Sequence, residues 1–145
     1  MFLSYLITSH NETASLDKLL NKLTKYLKNT HEIILLDDYS DNQTTLEIIQ
    51  KYKEKINFHQ KKLDRDYGAH KNHGISLCKG KWIFQIDADE YPTDVLLENI
   101  DEILESNDVN QNASWFWASE LNQKIYQAIN KLKIDDYSKP ILLDD

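Results

Sequence analysis

Short apolar runs alternate with helical-period segments along most of this chain, and that alternation limits the fold more than anything else in it. "FLSYLIT" is rich in aromatic and aliphatic residues and reads as a strand. "SLDKLLNKLTKYLK" follows, with Leu16, Leu19, Leu20, Leu23 and Leu27 at helical spacing and lysines opposite. In "HEIILLDDYS" the residues Ile33 to Leu36 are continuously apolar, as a strand covered on both faces requires. "TTLEIIQKYKEK" is a helix with Thr44 or Thr45 near its N-cap, and "INFHQ" is a short strand. "YGAHKNHGISLCKG" is a helix expected to end at Gly80 in a left-handed C-cap. "KWIFQIDAD" is a fourth strand, and "TDVLLENIDEILES" a helix capped by Thr93. The β-α-β-α-β-α-β-α order predicts an α/β fold: a mostly parallel sheet, with strands near residues 2–8, 32–37, 56–60 and 82–87 and helices on both faces.

The pattern weakens after Ser106. "ASWFWASE" reads as a possible strand and "LNQKIYQAINKL" as a possible helix. The domain division is therefore an α/β unit over residues 1–106 and a C-terminal extension over 107–145, packed on the same domain. At 145 residues the chain is long enough for one real core. A net charge of −7 argues against a broad nucleic-acid-binding surface. The single cysteine, Cys78, excludes an internal disulfide framework and suits a reducing compartment, so a cytoplasmic location is expected. The apolar N-terminus lacks a basic region and a cleavage site and reads as a strand rather than a signal peptide. No apolar run approaches the ~20 residues of a transmembrane helix, which leaves peripheral membrane contact open.

Polar residues collect where three strands end: "TSHNE", "DDYSD" and "DADE". Taken singly each has a plainer reading, the first as an N-cap cluster and the second as a solvated turn. Together they mark one rim, and open parallel sheets bind ligands beyond the carboxyl ends of their strands. Glycine occurs only three times and no glycine-rich phosphate loop is present. A diphosphate would then be held through a divalent cation, Mn²⁺ or Mg²⁺, gripped by Asp87 and Asp89, which share a face at i and i+2. The cation would relieve the repulsion of carboxylates crowded at a buried strand's end.

These four segments, "TSHN", "DDYSD", "YGAHKNHGISLCKGKW" and "DAD", resemble in order and spacing the motifs of the family 2 glycosyltransferases, enzymes of the GT-A fold. The resemblance covers roughly residues 2 to 105 and is greatest to members that modify bacterial surface sugars or lipopolysaccharide core. It implies a metal-dependent, inverting transfer of a sugar from a nucleotide-diphosphate donor, a UDP-sugar, to a hydroxyl of a saccharide or lipid-linked acceptor. By the same resemblance Asp38 would bind uracil N3–H, and Thr8 and His10 would line the base, His10 standing where the family has tyrosine. Asn11 and Ala88 fall in the same nucleotide-sugar motifs. Asp87 would contact ribose or a metal-bound water, and Asp89 the metal. Lys71 and Arg65 would approach phosphate or donor sugar, with Asn72 as a buttress.

A general base belongs to the acceptor-binding half in this family, and this chain does not show that half in full. Glu120, Asp135 and Asp136 are candidates by residue type alone. The alternative to an active enzyme is a truncated nucleotide-diphosphate-binding module. A nucleotidyltransferase is disfavoured because "TSHNE" lacks a glycine-rich loop. His70 and His73, at i and i+3, read as surface or pocket-wall groups rather than metal ligands, and Cys78 as a small core residue. Trp115, Phe116 and Trp117 read as partly buried against the sheet, with an acceptor-sugar platform as the second reading. Glu90 either supports the site or begins the next loop.

Overall fold

A computed structural model describes residues 1–106, 115–117 and 143–144. Its elements run β1 (Leu3–Ser9), α1 (Ala14–Tyr26), β2 (His31–Asp37), α2 (Gln43–Tyr52), β3 (Asn57–Gln60), α3 (Tyr67–Leu77), β4 (Trp82–Asp87), β5 (Tyr91–Pro92), α4 (Asp94–Ser106), β6 (Trp115–Trp117) and β7 (Leu143–Asp144). Strands order as β3-β2-β1-β4-β6, every neighbouring pair parallel. The α/β expectation holds, and β6 falls inside "ASWFWASE". β5 and β7 form a separate antiparallel pair.

Strand phase divides the core. Leu3, Tyr5 and Ile7 of β1, Ile33 and Leu35 of β2, and Trp82, Phe84 and Ile86 of β4 face α1, α2 and α4 in the larger cluster. Leu6, Ile34, Leu36 and Ile83 point the other way, where Ile75, Leu77 and Cys78 of the α3 region cover them. Helices therefore lie on both faces, three against one. α3 comes close through Gly74, where an added Cβ would sit 3.0 Å from Leu6 Cδ1. Cys78 is part of that packing, and burial first, then the charge of Glu32, pushes its thiol up to about 11. It is a partly buried group packed against the smaller cluster, close to the small core residue its sequence context indicated.

Two local expectations are corrected. The N-cap of α2 is Asn42, whose Oδ1 accepts the Thr45 N–H at 3.1 Å, and not Thr44 or Thr45. An amide oxygen one turn earlier meets the free N–H, while Thr45 is fully buried and donates its hydroxyl to Glu12 O. Gly80 is not a left-handed cap either: α3 ends at Leu77 with an extended Cys78, and no glycine has positive φ. The reason for glycine there is long-range. An added Cβ would lie 2.5 Å from Ser4 N and 2.8 Å from Leu3 C, both backbone atoms that cannot move aside. Gly80→Ala should therefore cost about 1–3 kcal/mol, measured by chemical denaturation, the range for overpacking a tight site. Thr93 caps α4 as expected, its Oγ1 accepting the Leu96 N–H at 3.2 Å.

Candidate active site

The sheet order reverses between β1 and β4: from the central β1 the chain winds outward through β2 and β3, then returns to the other side. Crevices at such a switch point open beyond the carboxyl ends of the strands. A cavity of about 530 Å³ lies there. Period-two alternation aims the polar ends into it. Thr8 follows Leu6, Asp38 follows Leu36, and Gln85 and Asp87 follow Ile83, all on the α3 face. Thr8 and Asp87 are register partners, and Thr8 Oγ1 donates to Asp87 Oδ1 at 3.5 Å.

Asp37 has the opposite phase and a different task. It is completely buried. Its Oδ1 accepts the hydroxyls of Ser9 at 2.8 Å and Ser40 at 2.6 Å, and its Oδ2 accepts the Ser40 N–H at 2.7 Å. That carboxylate binds the ends of β1 and β2 to the loop after them. Asp38 is partly exposed in the cavity wall, and its Oδ1 accepts the Leu63 N–H at 3.0 Å. His10 Nδ1 lies 2.6 Å from Asp38 O, so it carries the proton and donates.

Asp87, Ala88, Asp89 and Glu90 form a turn closed twice. Glu90 N–H donates to Asp87 O at 2.9 Å, and Asp87 N–H donates to Glu90 Oε1 at 2.8 Å. Ala88 is anchored in the core while Asp87 and Asp89 are turned outward to the cavity. Burial, then the charge of Asp89, raises the Asp87 carboxyl above the usual range, with the Thr8 hydroxyl opposing. Burial also raises Glu90; the Asp87 N–H offsets this, and the charges of Asp87 and Asp89 add to it. Glu90 is therefore a support of the turn. Among the described residues no three or more His, Cys, Asp or Glu side chains are grouped to hold a metal ion. The carboxylates of Asp87 and Asp89 side by side still suit a cation whose remaining ligands come from water and substrate oxygens.

Of the expected site residues, Thr8, His10, Asp38, Lys71, Asp87, Ala88 and Asp89 line this cavity. Asn11 and Arg65 do not. Asn11, at φ 52°, staples the rim instead: its Oδ1 accepts the N–H groups of Asp41 at 2.8 Å and Asn42 at 3.0 Å, and its Nδ2 donates to Asp41 Oδ1. Arg65, at φ 60° beside Asp64 at 49°, forms a turn closed by Asp66 N–H to Leu63 O, and its side chain is exposed. Asn72 is also exposed and away from the wall. Glu120, Asp135 and Asp136 lie outside the described residues. The reading of residue types passed over Ser9, Glu12, Leu63, Tyr67, Gly68 and Gln85 in the wall. Gln85 had a signal, a lone amide in the strand two positions before Asp87. Leu63 had none, because its contribution is a backbone N–H.

The family model described as "Glycosyl transferase family 2" matches residues 4–141. The chain belongs to that family. Among curated members, the poly(ribitol-phosphate) beta-N-acetylglucosaminyltransferase TarS of Staphylococcus aureus is 29% identical over 96 residues, which is 63% of this chain and 17% of TarS. TarP of the same organism, also a poly(ribitol-phosphate) beta-N-acetylglucosaminyltransferase, is 35% identical over 81 residues, 54% of this chain and 25% of TarP. Among solved structures, S. aureus TarS 1-349 in complex with UDP-GlcNAc superimposes with a TM-score of 0.61 at 25% identity, over 72% of this chain and 31% of that one. This family 2 chain thus spans a quarter or less of the length of these two curated relatives.

Proposed function

We propose that this chain carries the donor site of a metal-dependent glycosyltransferase, which moves a sugar from a UDP-sugar to a hydroxyl of a saccharide or lipid-linked acceptor. The observation that carries the reading is the convergence of Thr8, Asp38, Asp87 and Asp89 from three strand ends on one switch-point cavity. Family membership supports sugar transfer, and the UDP-GlcNAc complex of TarS supports a uridine nucleotide donor. The location proposed is cytoplasmic; among the described residues no helix is long and apolar enough to cross a membrane.

Asp38 keeps one carboxylate oxygen on Leu63 N–H and offers the other to the imide N–H of uracil. His10, fixed by its bond to Asp38 O, forms the wall beside the base. Asp87 and Asp89 would hold Mn²⁺ or Mg²⁺ together with the diphosphate, and such an ion when bound neutralises charge on the departing nucleoside diphosphate. Lys71 adds a positive charge to the wall across which the phosphates would lie. Inversion at the anomeric carbon would need a carboxylate base from the acceptor side, for which Glu120, Asp135 and Asp136 remain the candidates.

Titration with UDP and UDP-sugars, and assay of donor hydrolysis and transfer to an acceptor panel, test this reading. Asp38→Asn keeps an acceptor for Leu63 N–H but places an amide N–H₂ toward the base. UDP affinity should fall about 10–100-fold, as for a lost charge-assisted hydrogen bond, with little change in stability. A folded Asp38→Asn chain that binds UDP unchanged would refute the base assignment. Nucleotide binding without hydrolysis or transfer would favour the binding-module alternative.

A further inference from the structure

Two of the histidines have a polar contact at each ring nitrogen. His10 Nδ1 donates to Asp38 O and its Nε2 faces Asn11 Nδ2 at 3.4 Å. His31 Nε2 lies 2.7 Å from Asp101 Oδ1, and its Nδ1 accepts the Lys28 N–H at 3.3 Å. His70 differs. It is only 5% exposed, in the first turns of α3, and it lines the cavity. Its Nε2 lies 3.0 Å from Lys61 O. A carbonyl oxygen only accepts, so Nε2 carries the proton and the neutral ring leaves Nδ1 as a lone-pair acceptor. Among the described residues nothing donates to that nitrogen. A buried acceptor without a donor is unfavourable, and a functional site is where such a group is tolerated.

The ring is also placed by the machinery that places Asp38. Lys61, its anchor, donates its N–H to Asp37 O at 3.0 Å, and Leu63, two residues on, donates to Asp38 Oδ1. We propose that His70 Nδ1 faces the cavity and accepts a hydrogen bond from a ribose hydroxyl of the bound donor, which makes His70 a specificity-determining residue. This rests on the nucleotide-sugar reading above. The second imidazole of that helix, His73, is exposed and has no such role. Among the described residues no group of three or more His, Cys, Asp or Glu that could hold a metal ion includes His70.

Two variants separate this role from a structural one. The amide of glutamine reaches the level of Nε2, so His70→Gln keeps a donor for Lys61 O and loses the Nδ1 acceptor. The amide oxygen of asparagine sits near Nδ1, so His70→Asn does the reverse. Calorimetric titration with UDP should show affinity about 3–10-fold weaker in His70→Gln, with thermal stability kept. His70→Asn should keep the affinity and lose some stability. The arms identify the donor group. If 2′-deoxy- or 3′-deoxy-UDP binds more weakly than UDP to wild type but equally to His70→Gln, the partner is that ribose hydroxyl. If neither deoxynucleotide tells wild type from His70→Gln, the ribose assignment is overturned. Wild-type UDP binding that is unchanged in His70→Gln, or lost equally in both variants, overturns this inference alone. A wild-type chain that binds no UDP overturns the donor-site reading and this inference with it.

Discussion

Asp37→Ala should lower the unfolding free energy by about 3–5 kcal/mol, because it strands three donors at once. The hydroxyls of Ser9 and Ser40 and the Ser40 N–H all converge on this one carboxylate, and Asp37 and Ser9 are buried as register partners. Hydrogen bonds to a charged acceptor are worth ~1.5–3 kcal/mol each, but three bonds on one group do not add in full. For a domain of this size the thermal midpoint should drop by about 10 °C or more. Asp37→Asn should be milder, about 1–2 kcal/mol, for a directional reason. An amide can put its oxygen toward the Ser40 N–H, which can only donate, and its N–H₂ toward two hydroxyls, which can turn and accept. Denaturant titration of both variants gives the order. Equal losses would show that the charge, rather than the donors it satisfies, is what matters at Asp37. UDP affinity should fall in Asp37→Ala even under conditions where it remains folded, since the same carboxylate holds the backbone that presents Asp38.

The contrast between Asp37 and Asp38 also shows how far the sequence was legible. Counting by two from Leu36 puts Asp38 on the cavity face and Asp37 on the other, so the neighbouring acids could be assigned different tasks from the alternation alone. The same count carries Leu6 to Thr8 and Ile83 to Asp87. Periodic burial is a local property, and the strands, four helices and Thr93 cap followed from it. What local reading could not supply was contact across the chain. Gly80 has its reason in Ser4, 76 positions away. Asn11 lies among motif residues yet spends its amide on Asp41 and Asn42, because the rim needs closing before a ligand can be held. Arg65 carries a suitable charge, but its left-handed turn with Asp64 leaves it exposed away from the wall. Leu63 acts through its backbone, which no side-chain pattern records.

Asp89→Asn should abolish the coupling between Mn²⁺ and UDP while sparing metal-free binding of the nucleoside. Two carboxylates leave most of an octahedral shell to water, so the ion should bind weakly until a diphosphate supplies further oxygens. Metal and nucleotide then tighten each other by the same factor, typically about 5–150-fold. Asn keeps the shape of the turn, because Ala88 in the core and the two Asp87–Glu90 bonds do not involve the Asp89 side chain. It also removes the charge that helps raise the Asp87 carboxyl. That gives an independent sign. A carboxyl whose folded-state pKa is raised binds its proton more tightly in the folded chain, so stability falls as pH rises from the ordinary carboxylate value through the raised one. In wild type without metal, stability should therefore decline across that window, and Asp89→Asn should flatten the decline and be the more stable chain at neutral pH. Asp87→Asn should do the same to stability but disturb coupling less if its contact is to ribose. Titrations of UDP with Mn²⁺ and with chelator, paired with denaturation at several pH values, read both effects. Equal UDP affinity with metal and with chelator in the wild-type chain would refute the cation site. Normal coupling in Asp89→Asn would move that site off Asp89 while leaving the nucleotide pocket standing.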